Sequence, residues 1–266
     1  MMRNNSTIWN GRAAAYSTVR PQPPAVILDM FTQLIQQKRP RLVVDLGSGT
    51  GLSTLLWSER AERVVGIEPN EDMRNEAEKI RIEAGIKNVS YRKGVSTATG
   101  LGSSSADIVT CSQSLHWMEP AATFAEVERI LRPGGLFAAY DYDWPPTVSS
   151  EAEEAYQALM ERIDAVSWMH DINEGATRWP KHQHLARMQA SECFHYVKEI
   201  RLHHREMGDA DRFIGLILSS HISALIKRGL SPQDIDLATF EYTVREAIGT
   251  KMTPFWFSYH VRIGVV

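Results

Sequence analysis

The sequence predicts an α/β fold, a doubly wound and mostly parallel seven-stranded sheet with a helical insertion after the fifth strand. Three observations predict it. Strand and helix patterns alternate from residue 42 to 143. The strands there are short and continuously apolar, as in sheets covered by helices on both faces. Three glycines, Gly47, Gly49 and Gly51 of "RLVVDLGSGTGLSTLL", directly follow the first strand, and folds of this class bind ligands outside the carboxyl ends of their strands.

Each element follows in order. The prolines of "RPQPP" (20–24) end whatever precedes them. In 25–37 the helical period puts Val26, Met30, Leu34 and Ile35 on one side. Leu42, Val43 and Val44 form the first strand, closed by Asp45, and a helix is expected over Leu52–Ser58. Val64–Ile67 is the second strand, ended by Glu68 and Pro69. "NEDMRNEAEKIRIEAG" is a helix that stops at Gly85. "VSYRKG" is the third strand and Asp107–Cys111 the fourth. "AATFAEVERILRPGG" is a helix stopping on Pro133, Gly134 and Gly135, and "LFAAYDYD" is the fifth strand.

After Trp144 the pattern turns helical, with Tyr156, Met160 and Ile163 on one side and a second helix over "KHQHLARMQASECF". "YVKEIRLHHREM" alternates as a strand, "ADRFIGLILSSHISALIKRG" and "QDIDLATFEYTVREAIG" read as helices, and "FWFSYHVRIGVV" as a final strand. The expected organisation is one domain over 1–266. It comprises a cofactor-binding core at 25–143, a helical substrate lid at 144–190, and a part at 194–266 that completes the sheet.

Composition narrows the function classes. With 266 residues, 43% of them hydrophobic, and a net charge of -3 without a long basic tract, nucleic acid is not the default partner. Cys111 and Cys193 stand far apart, no C-x-x-C occurs, and the N-terminal stretch has no apolar signal core. Reduced thiols, a cytoplasmic location, no metal and no membrane span are expected. Oligomeric state is left as monomer or homodimer.

The glycines fit neither standard phosphate loop. A dinucleotide fingerprint needs glycine where Leu52 stands, and a P-loop needs Lys followed by Ser or Thr. What remains is a strand, a tight turn and a close backbone approach to a ligand. Glu68, at the end of the neighbouring strand, can accept hydrogen bonds from both hydroxyls of a ribose.

Four motifs in order, "VVDLGSGTGLST", "VVGIEPNEDM", "ADIVTCSQSLHWM" and "ILRPGGLFAAYDYD", resemble those of the class I S-adenosylmethionine-dependent methyltransferases. The opening "WNGRAAAYSTVRPQPP" is similar to the small-molecule branch, that of trans-aconitate-methyltransferase-like, type 11 enzymes. The likeness is strong over about residues 8–143 and loose beyond. It implies a Rossmann-like sheet with an antiparallel last strand and S-adenosyl-L-methionine as cofactor. It also implies that Gly47, Ser48 and Gly49 wrap the cofactor's amino-acid part, Asp45 orders that loop, and Glu68 holds the ribose. Pro69, Asn70, Met73, Val95 and Ser96 would lie about the adenine, Ser112 and Gln113 beside the sulfonium, and Tyr16 and Arg20 at the cofactor carboxylate.

Methyl transfer from a sulfonium is an in-line displacement, so the protein must align an acceptor, exclude water and, for some acceptors, remove a proton. His116 and Tyr142 are the candidate catalytic residues. His116, Trp117, Tyr142, Trp144, Trp168 and Trp179 are the candidate substrate contacts. Aromatics of this kind make apolar walls or cages for a cation, and the tryptophans serve equally as lid core. Arg178, Lys181, Arg187 and Arg205 are candidates to grip a substrate carboxylate, or else face solvent. His182 and His184, two apart on a helix, do not face each other as metal ligands. "SQSL" replaces the N-P-P-Y motif of DNA and protein amino-group enzymes. An RNA or protein methyltransferase, an NAD-dependent oxidoreductase and a non-catalytic binding module stay as rivals. The acceptor atom (carboxylate, hydroxyl, nitrogen or thiol) stays open.

Overall fold

The computed structural model describes residues 9–172, 175, 177–220 and 222–266. Two short helices, α1 (Ala13–Val19) and α2 (Val26–Leu34), precede the sheet. Strands β1 (Leu42–Leu46), β2 (Arg63–Ile67), β3 (Val89–Arg92), β4 (Ala106–Ser112) and β5 (Leu131–Tyr142) alternate with α3 (Glu71–Glu83) and α4 (Pro120–Ile130). Then come α5 (Ser150–Met169), α6 (His184–Ala190), β6 (Tyr196–Gly208), α7 (Ala210–Leu218), α8 (Ile222–Lys227), α9 (Leu237–Ile248) and β7 (Thr253–Val265). The seven strands lie in the order β3-β2-β1-β4-β5-β7-β6. β1 to β5 pair in parallel, and β7 is antiparallel to both its neighbours. The predicted sheet and its antiparallel last strand are therefore present.

Burial explains the apolar strands. All five residues of β1 are buried, and its side chains alternate between two cores. Val43 joins Phe31, Trp57, Val64 and Ile108 on one face, while Leu42, Val44 and Leu46 join Val65, Phe124 and Phe137 on the other. Each such large side chain contributes about 1.5–3 kcal/mol by leaving water.

Helix ends follow local chemistry. Asn70 caps α3 by accepting the Met73 N–H at 2.9 Å, Glu71 and Asp72 sit in the positive first turn, and Gly85 takes φ +66 just past its end. Glu119 caps α4 by accepting from the N–H groups of Ala121 and Ala122, with Pro120 at the first position.

Several predicted elements are corrected. The helix over Leu52–Ser58 is only a 3-10 turn, Thr54–Trp57, because the chain must re-enter the sheet at Arg63. α2 buries Ile27, Leu28 and Phe31, whereas Val26 and Leu34 are exposed. Met30 and Ile35 of the expected face do pack against that core, so the buried side is rotated from the one the sequence period suggested, not opposite to it. α4 ends at Ile130, and Pro133, Gly134 and Gly135 already lie in β5, where its pairing with β4 shifts register. The long helix from residue 210 stops at Leu218. There the Ser219 carbonyl accepts N–H groups from Arg12 and Arg20, both at 3.1 Å, so two arginines replace the next helical turn.

Candidate active site

The carboxyl ends of β1, β2, β4 and β5 open onto two adjoining cavities. One, of about 420 Å³, is lined by the glycine turn, Glu68, Pro69, Met73, Val95, Ser96, Ser112 and Met118. The other, of about 610 Å³, is lined by His116, Asp141, Trp144, Tyr156, Arg178 and Lys181, with β6 and β7 behind. Trp9, Tyr16, Arg20, Gln113, Trp117 and Tyr142 border both.

The turn after β1 is built for a close approach. Gly47 has φ +65, and a Cβ there would meet Ser114 Cβ at 2.7 Å and Met118 Cε at 2.8 Å, so a side chain is excluded by both backbone and neighbours. Gly51 serves packing instead of ligand contact: its φ is +86 and a Cβ would meet the Tyr91 hydroxyl at 2.1 Å.

Glu68 fastens this turn to β2. One carboxylate oxygen accepts the Gly49 N–H and the other the Asn70 N–H, each at 2.9 Å. A carboxylate oxygen accepts two hydrogen bonds, so each keeps one accepting position, and Glu68 lines the smaller cavity. Burial pushes the Glu68 carboxyl up, opposed by those two backbone bonds.

The residues of the smaller cavity fit S-adenosylmethionine. Ser48 Oγ is buried with no partner among the described residues, and a Cβ on Gly49 would meet nothing within 4 Å. The Gly49 backbone thus faces open space, while the Ser48 hydroxyl packs over Gly66 of β2. Pro69, Met73 and Val95 give apolar walls suited to a flat base. Ser96 also lines it, although its hydroxyl already pairs with Thr123 Oγ1 at 2.8 Å.

Gln113 stands at the seam of the two cavities. Its backbone has φ +53, a strained conformation for a residue with a side chain, held by its N–H on the Tyr140 carbonyl at 2.9 Å. Its Oε1 accepts from Lys181 Nζ at 3.0 Å, while its buried Nε2 has no partner among the described residues. Above the seam, Trp9 packs edge-on against Tyr16 and Trp117, at 5.5 and 5.9 Å between ring centres.

The candidate catalytic residues line the larger cavity. His116 packs its ring on Trp117 at 4.9 Å. Burial, and then the nearby Lys181 and Arg178, hold its pKa well below the usual value, so the ring is neutral and a weak base. The Tyr142 hydroxyl accepts from Arg20 Nη1 at 3.2 Å. Burial pushes its pKa up to about 12, so it keeps its proton.

Three predicted site residues lie elsewhere. Asp45 does not face either cavity. It is buried under the turn, accepts the Thr54 hydroxyl at 2.6 Å and the Thr110 hydroxyl at 2.8 Å, and burial pushes it up to about 6. Its work is to join β1 to β4 and to the 3-10 turn. Trp168 is 85% exposed at the end of α5, because α5 turns its Leu159, Ile163 and Val166 face inward. Trp179 lines the smaller cavity, not the larger one; its N–H donates to the His116 carbonyl at 2.8 Å.

Of the four candidate substrate cations, Arg178 and Lys181 line the larger cavity, whereas Arg187 covers the Trp179 ring and Arg205 the Trp256 ring. The sequence reading missed Trp9 as a wall of both cavities and Asp141 with Arg262 as a buried pair at 2.6 Å. Their only sequence signal was position at a strand end or before the first helix. No helix among the described residues is long and apolar enough to cross a membrane.

Comparison with known proteins agrees with this geometry. Residues 44–139 match a family model described as a methyltransferase domain. The chain is 32% identical over 133 residues to the uncharacterized methyltransferase Rv3342 of Mycobacterium tuberculosis, covering 50% of this chain and 51% of that protein. It is 30% identical over 141 residues to a candidate S-adenosylmethionine-dependent methyltransferase, CRG1, of Saccharomyces cerevisiae, covering 52% and 48%. The chain thus spans about half the length of the curated relatives it matches. A candidate type II methyltransferase of Anaeromyxobacter dehalogenans shares the fold over 92% of this chain and 97% of its own, with TM-score 0.65 and 24% identity. Sheet order, glycine turn and strand-end acid agree with that match: residues 44–139 are similar to a methyltransferase domain.

Proposed function

We propose that the protein transfers a methyl group from S-adenosylmethionine to a small-molecule acceptor. One observation carries this reading. The cavity at the glycine turn and the larger cavity share Trp9, Tyr16, Arg20, Gln113, Trp117 and Tyr142 as walls, so a donor in one and an acceptor in the other would lie side by side.

When bound, the cofactor supplies an electrophilic methyl on a sulfonium sulfur. The chain's own residues do the rest. The free positions on Glu68 accept the ribose hydroxyls, and the Gly47–Gly49 backbone with Ser48 Oγ takes the polar amino-acid end. Pro69, Met73 and Val95 pack on the adenine. Trp9, Tyr16 and Trp117 close the seam from above and keep water out, which favours displacement over side reactions. His116, held neutral, orients the acceptor more than it removes a proton, and Tyr142 keeps its hydroxyl proton as a donor.

Acceptor size supports a small molecule over a macromolecule: the second cavity is walled by Trp144, Tyr156 and β6–β7 and holds about 610 Å³. A screen of small metabolites for release of S-adenosylhomocysteine tests the reading. It predicts turnover with at least one metabolite class. Turnover only with RNA or protein, or reduction of a nicotinamide cofactor, would contradict it.

A further inference from the structure

The walls of the larger cavity carry information about charge. Aromatic rings there could cage a cation, but three of them, Tyr16, Trp117 and Trp144, already carry one. The Arg20 guanidinium lies 4.6 Å from the Tyr16 ring centre and 4.7 Å from that of Trp144. Arg178 lies 4.8 Å from the centre of Trp117. The cations of these cages belong to the protein.

The three carboxylates on the wall are engaged as well. Asp141 lies 2.6 Å from Arg262, Glu199 lies 3.1 Å from the same guanidinium, and Asp143 pairs with His260 at 3.1 Å. Beside these satisfied acids stand donors that are not satisfied. Arg20 has five N–H groups; its bonds go to the Ser219 hydroxyl, the Ser219 carbonyl and Tyr142, which leaves two. Among the described residues no carboxylate pairs with it. Lys181 has three N–H groups and gives one to Gln113, with Asp141 beyond hydrogen-bond length at 3.7 Å. The Gln113 amide nitrogen has no partner among the described residues. Arg20, Lys181 and Gln113 all line this cavity.

We propose that the larger cavity takes a small organic anion, whose carboxylate or phosphate is held by the remaining N–H donors of Arg20, Lys181 and Gln113. This rests on the methyltransferase reading for the identity of the cavity as the acceptor site, but the anion subsite is defined by this chain's donors alone. Charge-assisted hydrogen bonds are about twice as strong as neutral ones, and they satisfy donors that are otherwise costly to bury. A neutral His116 fits the same picture. An anionic oxygen already carries the lone pair that attacks, and no proton has to leave.

The test is binding, read by the fluorescence of Trp9, Trp117 and Trp144 at the cavity wall, in the full chain saturated with S-adenosylhomocysteine. Succinate and inorganic phosphate are the anionic probes, with succinamide and tetramethylammonium as neutral and cationic controls. The subsite predicts that at least one anion changes the signal and that neither control does so at equal concentration. It also predicts that Lys181→Met weakens the anion by about tenfold or more, and Arg20→Gln likewise, while Lys181→Met still binds S-adenosylhomocysteine and so is folded. A preference for succinate over phosphate, or the reverse, assigns the anion to carboxylate or phosphate. A response to the controls equal to that of the anions, no response to either anion, or anion affinity unchanged in Lys181→Met would overturn the proposal. Anion binding without any S-adenosylhomocysteine binding would uphold the subsite and sink the methyltransferase reading instead.

Discussion

The two cavities are made in different ways. The cofactor side is local: Gly47 to Gly49, Glu68 and Gln113 stand at the ends of adjacent parallel strands, and the short-range geometry of each turn sets its wall. The larger cavity, the proposed acceptor side, is assembled from distant segments. Arg20 before the sheet is fixed by Ser219 after α7, Asp141 of β5 by Arg262 of β7, and Lys181 of the insertion by Gln113 after β4. The lesson is that the smaller cavity is encoded in neighbouring residues at strand ends, while the larger one is encoded in contacts between segments that carry no common motif.

The largest effect that would sharpen this contrast is at Glu68. Glu68→Ala leaves the Gly49 and Asn70 N–H groups unpaired and removes the acceptors for a ribose, at about 1–3 kcal/mol for each lost interaction. S-Adenosylhomocysteine affinity should fall about 100-fold or more by calorimetry. Gly47→Val comes next. Clash with Ser114 and Met118 and a positive φ should lower unfolding stability by about 2 kcal/mol or more in urea. A wild-type melting curve from this variant would mean that the turn adapts.

Much of the cofactor side was legible because its signals are local. Strand ends, glycines and the acid of β2 are read from a few consecutive residues. Asp45 was legible as a residue that orders the turn, which it does through Thr54, but its bond to Thr110 of β4 and its place beneath the turn depend on strand pairing that the sequence does not print. Trp168 and the exposed Val26 and Leu34 were misjudged because helical period names a face without saying what covers it. The acceptor donors were legible as residue types in Arg178 and Lys181, but which of four cations would turn inward depended on a 3-10 turn at Lys181–Gln183.

The acceptor side gives smaller and more conditional effects. His184 is buried below it, with neither ring nitrogen hydrogen-bonded, and burial pushes its pKa down to about 4 from 6.5. The unfolded chain therefore takes the proton first. Stability from this group is whole above pH 6.5 and is lost as pH falls toward 4. Asp45, raised from 3.8 to about 6, works the opposite way: its contribution is full below 3.8 and is lost as pH rises through 6. The comparison must therefore be between variants. His184→Leu should gain stability relative to the unaltered chain between pH 7 and pH 5, and a constant difference would contradict the assignment.

His116→Gln separates orientation from proton removal. A general base contributes about 10²–10⁴-fold. A histidine already held neutral should cost less than about tenfold in kcat, with a pH–rate profile of unchanged shape. A loss above about 100-fold together with a vanished inflection would restore the base role. The smallest effect is expected at Trp168→Ser, within about 0.5 kcal/mol of unaltered stability and with no change in either binding reaction.

Calorimetric titration of the full chain with S-adenosylhomocysteine, alongside folded Glu68→Ala, tests the central claim most directly. The account predicts one ligand per chain and heat that disappears in the variant. A flat titration of the unaltered protein, or equal heat from both proteins, would contradict it.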